Sequence, residues 1–527
     1  MTDTPLSPGP DDAVGPDPGA GAVRRAAVPA STWRQAASRV GERAGGRRVL
    51  VVGWAPLPFE NARMNYAPGG RAWQFARPLA ADGHAVCLAA ARIPGAYGGE
   101  PPAVSQLERD GVLIYLLDHE LFAAEVVLDG LVGAFRPDVV VGAAAVPSKR
   151  AAELAGDRPL WVDFFGDPMA EAQAKAAVHP EGDHLTAYWQ LTAELLLRGD
   201  RFSAVSERQR WALVGQLGLA GRLNRATCGR ELVHTLPVSA VEAHRPPAAP
   251  AGEFRDRDFV VLWSGGYNTW CDVETLYRAL ESAMSQNGDI RFVSTGAGIE
   301  GQDVETYRRF EELVAGSLFR SRFLLKGRLP ERRAGRYLAR ADLGVVTEKP
   351  IYERSLGSSA RLLGWMSAGL PFVCARLSEL ASEAEAAGLA ATYPAGDAEA
   401  LARRILEAAE RGRCRAAAAE LAPALADLTP EATTRPLRAW VESGRRAPDH
   451  DAEPPRFLDP RALERAVLAE ELAAAAEARA EKLERRYHRV RSELGEIHES
   501  TMWRVWMTYL EVRRALLWPL RWLSGRR

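Results

Sequence analysis

Two consecutive doubly wound α/β domains, followed by a long helical tail, are the architecture that this sequence predicts. Three observations lead there. Short continuous apolar runs alternate with amphipathic stretches from Arg47 to about residue 240, as βαβ units around a buried parallel sheet require. The alternation restarts at Asp258, after the Pro-rich polar stretch VEAHRPPAAPAGEFRDRD (241–258). From residue 461 onward, apolar residues recur at a spacing of three and four, the period of a helix. A chain of 527 residues has ample material for two such cores and a tail.

Composition narrows the class. With 47% hydrophobic residues and a net charge of −1, the chain is no polyanion binder, and no nucleic acid is expected as a partner. Five cysteines (Cys87, Cys228, Cys271, Cys374, Cys414) stand without CxxC spacing. That argues against a disulfide framework and a zinc site, and fits a reducing compartment. The N-terminus has no apolar core behind its positive charges, and no stretch of 18 uncharged apolar residues exists. A cytoplasmic protein is expected, with the tail as a means of peripheral attachment to the inner face of the plasma membrane.

The elements follow in order. Residues 1–45, rich in Pro, Gly, Ala and Asp, read as a disordered arm. The first Rossmann-like domain spans 46–240. Val49–Val52 form a central strand, a polar loop with Asn61, Asn65, Gly69 and Gly70 follows, and Ala72, Phe75, Ala76 and Leu79 share one helical face. His84–Ala90, Val112–Leu117, Pro137–Ala144 and Pro159–Phe165 continue the strands. After the 241–258 linker, a second such domain spans 259–445, with strands in DFVVLW, IRFVSTG, RFLLKG, ADLGVV, PFVCA and LAATYPA. Its last helix carries Leu437 and Trp440 and is free to return to the first domain. A second linker (446–460) leads to 461–500. There Ala466, Ala469, Ala473, Ala476, Ala480, Leu483, Tyr487, Val490, Leu494 and Ile497 form a coiled-coil seam suited to a homodimer. The segment MWRVWMTYLEVRRALLWPLRWLSGRR has four tryptophans and six arginines against one glutamate. Residues 501–527 therefore read as a basic, aromatic amphipathic helix suited to an anionic headgroup layer; Pro519 and the arginines argue against spanning.

Four places carry chemistry. In NYAPGGRAWQFARP, Gly69, Gly70 and Arg71 open a helix where a phosphate or acceptor can approach the backbone. It is not GxGxxG, and Pro78 predicts a kink or a late start. In VDFFGDPMAE, Asp163 and Asp167 lie at the carboxyl edge of the sheet, where ligands bind. Asp167, with Pro168 after it, fits an N-cap equally well, so Asp163 is the stronger catalytic candidate. In WSGGYNTWCD, Gly265 and Gly266 allow close backbone contact, and Tyr267 or Trp270 offers a stacking face. Thr269 to Asp272 fits a capping pair. The fourth is the loop after ADLGVV, with Glu348, Glu353, Ser358, Ser359 and Arg361, followed by GWMSAGLPFV. Arg361 offers bidentate phosphate pairing; Glu348 and Glu353 suit sugar hydroxyls. Gly369 and Pro371 read as a helix C-cap and stop.

In that order, these motifs and GDRFSAVSERQR (199–210) make residues 47–445 resemble the GT-B, family-4-like glycosyltransferases of bacterial surface polysaccharide assembly. The resemblance implies two facing Rossmann-like domains, the acceptor mostly on the first and the donor nucleotide on the second. It implies hexosyl transfer from a nucleotide-diphosphate sugar to a glycan or lipid-linked acceptor, with retention and without metal. Asp163, Asp167 and Glu353 are then the catalytic candidates, and Lys326, Gly327 and Arg328 the turn beside the base. The pattern also departs from the family. The second glutamate of its Glu-x7-Glu pair falls on Gly364 counted back from Gly369, or on Arg361 counted forward from Glu353. Residues 267–272 hold no base, so Arg361 and Lys326 are the candidates for countering the diphosphate. Two other readings stay open at this level. One is a catalytically inactive scaffold acting through its coiled coil; the other is a nucleotide-sugar epimerase or hydrolase of the same fold.

Overall fold

The computed structural model describes residues 35–40, 45–60, 62, 67–97, 99, 101–178, 184–240, 252–299, 303–412, 416, 418–452 and 460–524. Nearly all of the predicted disordered arm, linker residues 241–251 and 453–459, and Asn61, Asn65 and Cys414 lie outside them. Residues 1–455 form one compact unit and 456–527 a second.

The first unit is built on two sheets. The eight-stranded sheet has the order β3-β4-β2-β1-β5-β6-β7-β8. Its strands are β1 (Arg48–Ala55), β2 (Ala85–Arg92), β3 (Val104–Arg109), β4 (Val112–Leu117), β5 (Val139–Gly142), β6 (Leu160–Phe164), β7 (Arg201–Ala204) and β8 (Val233–Thr235). All its pairings are parallel except β3 with β4. That hairpin turns on Asp110 and Gly111, both at positive φ, as a tight two-residue connection demands. Val49–Val52 are wholly buried, as a strand covered by helices on both faces must be. The Ala67–Ala81 helix lays Ala72, Phe75, Ala76 and Leu79 on this core, and Pro78 falls in its last turn without ending it.

The six-stranded sheet has the order β11-β10-β9-β12-β13-β14 and is parallel throughout. It comprises β9 (Phe259–Trp263), β10 (Ile290–Ser294), β11 (Phe323–Leu325), β12 (Leu343–Val346), β13 (Phe372–Ala375) and β14 (Ala390–Tyr393). The winding reverses between β9 and β12, so a crevice opens beyond their carboxyl ends. The chain then returns: Leu437, Trp440 and Val441 of the Arg435–Ser443 helix join the core under the first sheet. Arg222 and Asp449 close the tail of this unit with a buried pair at 2.8 Å.

The two sheets are held against each other at the Glu207–Leu219 helix. Glu379, from the second half, accepts from the first two amides of that helix, Glu207 N at 2.8 Å and Arg208 N at 2.7 Å. This is a carboxylate on a helix N-terminus, supplied across the interface. Ser206 Oγ donates to Leu356 O at 2.6 Å and fixes the short Tyr352–Leu356 helix.

The second unit contains the Pro460–Glu499 helix of 40 residues and the Thr501–Ser524 helix of 24 residues. Ser500 separates them, its Oγ accepting from Trp503 N at 3.1 Å. Among the described residues, no helix is long and apolar enough to cross a membrane.

Candidate functional site

The crevice between β9 and β12 gathers most of the residues singled out in the second half. Beyond β9, the chain turns at Ser264, Gly265 and Gly266. Gly265 has φ +85°, and a Cβ on Gly266 would lie 2.7 Å from Ile299 Cδ1, so the Gly-Gly step permits both the turn and its seating. Across the crevice, Glu348 follows β12 and pairs with Cys271 in an isolated antiparallel bridge. Ser264 Oγ accepts from Trp365 Nε1 at 3.0 Å and ties the turn to the Ala360–Ser367 helix.

Arg361 lies in the first turn of that helix, whereas the sequence places it in the loop. Its Nη2 donates to Gly266 O at 2.8 Å, and its guanidinium carbon sits 4.4 Å from the centroid of the Trp263 ring. Its Nη1 is shielded from solvent and meets no hydrogen-bond partner among the described residues. Burial pulls this guanidinium below its ordinary value, against the opposing influence of Cys271 and Glu348. A guanidinium keeps its proton at any ordinary pH, so a buried arm without a partner is a strong attractor for an anion. Ser359 is the N-cap of the helix and is nearly buried, yet its side chain makes no capping bond. Ser358 precedes it and is half-buried. The arrangement is a helix N-terminus, a Gly-Gly turn and one uncompensated cation, which is the chemistry of a phosphate site.

The two glutamates of the loop are placed differently from the sequence expectation. Arg354, which sequence reasoning passed over, lies between them, its Nη1 3.0 Å from Glu348 Oε1 and its other arm ion-paired with Glu353. Both carboxylates are buried, at 6% and 7% exposure. Burial raises Glu353 above the usual carboxylate value, and the Arg354 charge partly offsets that. The pairing raises Arg354 further above its already high value despite its burial. Glu348 and Glu353 are therefore held by a guanidinium stacked 4.8 Å from the Trp270 ring centroid, rather than open to a sugar. The signal was an arginine beside Glu353 and six residues past Glu348.

Tyr267 has no exposed surface: it stacks on Trp263 with centroids 4.6 Å apart and donates from its OH to Ser294 Oγ at 2.9 Å. Its ring is core, not a platform for a sugar. Asp272 caps the next helix through Thr275 N at 3.0 Å, so the capping partner is Thr275 rather than Thr269. The 326–328 turn is tied down as well. Lys326 Nζ pairs with Glu253 at 2.9 Å, Gly327 takes φ +63°, and Arg328 Nη2 donates to Gly298 O at 2.8 Å. The charge of Lys326 is met within the fold, which leaves Arg361 as the better-placed cation.

In the first half the expected carboxylates are built into the scaffold. Asp163 is wholly buried. Its Oδ1 accepts from Arg71 Nη2 at 2.7 Å and Ser203 Oγ at 2.6 Å, and its Oδ2 from Arg71 Nε at 3.1 Å and Ala144 N at 3.0 Å. Arg71, at 1% exposure, spends its remaining arm on Gln74 and Pro237 O. Asp163 and Arg71 thus join the first helix to the sheet and have no oxygen or nitrogen left for a substrate. Asp167 is the N-cap of the Pro168–Ala176 helix, accepting from Ala170 N at 2.8 Å and from Gln216 Nε2 at 2.9 Å. Gly69 is demanded by packing, since a Cβ there would fall 1.9 Å from Pro56 O, whereas Gly70 has open space around it.

Residues 258–411 match the family model described as "Glycosyl transferases group 1", a range that contains β9 to β14 and the Arg361 crevice. This half is a group 1 glycosyltransferase domain. Solved structures extend the likeness to both sheets. Alr3699/HepE of Anabaena, solved with UDP and glucose, superposes with a TM-score of 0.53 at 16% identity, over 75% of this chain and 100% of that one. Sucrose-phosphate synthase (tll1590) of Thermosynechococcus elongatus gives 0.51 at 16% identity, over 81% and 100%. The α,α-trehalose-phosphate synthase (UDP-forming) of Burkholderia vietnamiensis gives 0.52 at 11% identity, over 76% and 100%. At these identities the likeness is one of fold, and the fold is GT-B. No curated protein matches the chain in sequence. Within the glycosyltransferase domain, the Arg361 crevice lies at the carboxyl ends of the strands, where a doubly wound sheet binds its ligand.

Proposed function

We propose that this GT-B glycosyltransferase moves a hexose-type sugar, with retention, from a nucleotide-diphosphate sugar to a glycan or lipid-linked acceptor in surface polysaccharide assembly. The observation that carries the donor half is the buried, unpartnered Nη1 of Arg361 above the Gly265–Gly266 turn. The diphosphate lies there, against the amides that open the Ala360–Ser367 helix and beside Ser358 and Ser359, with the base toward Lys326–Arg328. Those amides and Arg361 meet the charge that develops on the departing diphosphate, a task this reading gives to no metal. Complexes of Alr3699/HepE with UDP and glucose and with UDP-glucose support a nucleotide sugar as donor. The Arg354 bridge orients Glu348 and Glu353 at the wall of the crevice. Gly70, half-buried at the start of the Ala67–Ala81 helix with open space where a Cβ would stand, faces the acceptor side.

The tail adds a place to this chemistry. Met502, Val505, Trp506, Tyr509, Val512, Leu516 and Trp518 are exposed on a helix that also carries Arg504, Arg513 and Arg514. Such a surface suits the anionic inner face of a membrane, where a lipid-linked acceptor is presented to a cytoplasmic enzyme. The 461–500 helix supplies self-association. Incubation of UDP-, GDP- and dTDP-hexoses with the protein, with and without membrane lipid extract, tests the proposal. Acceptor-dependent release of nucleoside diphosphate, with the sugar recovered in the lipid or glycan fraction, is expected. Equal release without acceptor identifies a hydrolase, and no release with any donor identifies a scaffold.

A further inference from the structure

A helix on the surface of a domain is expected to turn polar and charged residues outward. The Glu207–Leu219 helix does not. Gln209, Leu213 and Leu217 are buried on the side that packs on β7 and β8. At about 100° per residue, Trp211, Gly215, Gly218 and Leu219 share the opposite face, and all four are exposed. Trp211 is 61% exposed and Leu219 68%. Leu223, 54% exposed, folds back beside Gly218, where a Cβ would lie 3.5 Å from Leu223 Cδ1. Residues 211–221 carry no charge.

The rim of this face is cationic. From 208 to 230 the chain has five arginines and neither Asp nor Glu. Three of the five are met within the fold: Arg208 pairs with Glu379, Arg210 with Glu207 and Glu231, and Arg222 with Asp449. Arg225 and Arg230 are exposed and form no ion pair among the described residues. They stand at the two ends of the apolar face. Arg225 follows Leu223 by two residues. Arg230 adjoins Glu231, the partner of Arg210, whose guanidinium carbon lies 4.8 Å from the Trp211 ring centroid.

We propose that this face of the first domain docks on an anionic lipid surface, with Trp211, Leu219 and Leu223 in the headgroup layer and Arg225 and Arg230 on lipid phosphates. The inference rests on the membrane reading of the tail and gives the body of the enzyme a contact of its own. Charge selects the occupant. A second copy on the same patch sets arginine against arginine, and the tail helix brings Arg504, Arg513 and Arg514, so both are repelled. No side chain holds a flat surface off between Trp211 and Leu219, because Gly215 has open space where a Cβ would stand. The position suits the acceptor as well. Trp211 is one helical turn past Glu207 and Arg208, whose amides meet Glu379, and Arg208 Nη1 donates to Leu377 O at 2.6 Å. A membrane on this face meets the seam between the two halves, where a lipid-linked acceptor enters.

Cosedimentation of the full-length protein with phosphatidylcholine vesicles, with and without phosphatidylglycerol, tests the proposal. The wild type is expected to bind the anionic vesicles. Trp211→Ser with Leu219→Ser should weaken that binding about tenfold at an unchanged melting temperature. Arg225→Gln with Arg230→Gln should weaken it by about as much, a difference that high salt removes. Val505→Asp with Val512→Asp breaks the tail face and serves as the comparison. If both body variants bind as the wild type does while the tail variant is lost, the inference is overturned, the tail reading stands and the face serves a protein partner. If the body variants lose binding and the tail variant keeps it, the inference stands and the tail reading falls. A wild type that binds no vesicle overturns both.

Discussion

Arg361 and Asp163 carry opposite lessons about what a charged residue at a strand's carboxyl end is for. Both are shielded from solvent, but Asp163 has four donors at 2.6–3.1 Å while one arm of Arg361 has no partner among the described residues. A buried ion with every lone pair satisfied holds structure; one with a missing partner is poised for a ligand. Asp163→Asn is therefore expected to destabilise the fold, because it leaves Arg71 buried and short of its counter-charge. A loss of about 3–5 kcal/mol fits breaking such a pair, read from the urea midpoint. A variant that kept full stability while losing turnover would return Asp163 to the reacting sugar. The same contrast marks the limit of sequence reading at this scale. The Arg71–Asp163 pair joins positions 92 residues apart, and nothing local announces it. Arg354 was more legible, since it stands beside Glu353, but its use as a bridge depends on Glu348 arriving from the end of β12.

The elements were the most legible part. Continuous apolar runs became β1, β2, β4, β5, β6 and all six strands of the second sheet, because strands covered on both faces leave no room for polar residues. The antiparallel edge strand β3 was not foreseen, although Asp110–Gly111 between two apolar stretches is a hairpin signal. β7 and β8 are short and partly polar, and no periodicity marks them. At the start of the first helix, two adjacent glycines have separate reasons. Gly69→Ala drives a methyl group into the Pro56 carbonyl and is expected to cost about 1–3 kcal/mol of stability. Gly70→Ala meets open space and is expected to leave the melting temperature unchanged or slightly raised. Any effect of Gly70→Ala on turnover alone would then mark that position as a ligand contact. Equal destabilisation by both would contradict this division.

For the whole molecule, the central point is that the crevice of the second sheet faces a first domain held to it by specific contacts. Glu379 on the Glu207 and Arg208 amides, and Ser206 on Leu356 O, fix the short helix that carries Glu353 and Arg354. The site's wall is thus set by the interface between halves, which explains why sequence analysis found its residues but not their partnerships. The GT-B arrangement and the group 1 domain say which class of chemistry to look for; the proposed function places the donor's charge at Arg361. The most direct test is the melting shift of the protein with UDP-, GDP- and dTDP-hexoses, beside Arg361→Ala and Arg361→Lys. One donor class is expected to raise the melting temperature of the wild type. Arg361→Ala should bind it about 10- to 100-fold more weakly, as the loss of a charge-assisted pair implies, with Arg361→Lys between the two. Well-folded protein that no donor stabilises, or an Arg361→Ala variant that binds as the wild type does, would contradict the assignment of the diphosphate to this crevice.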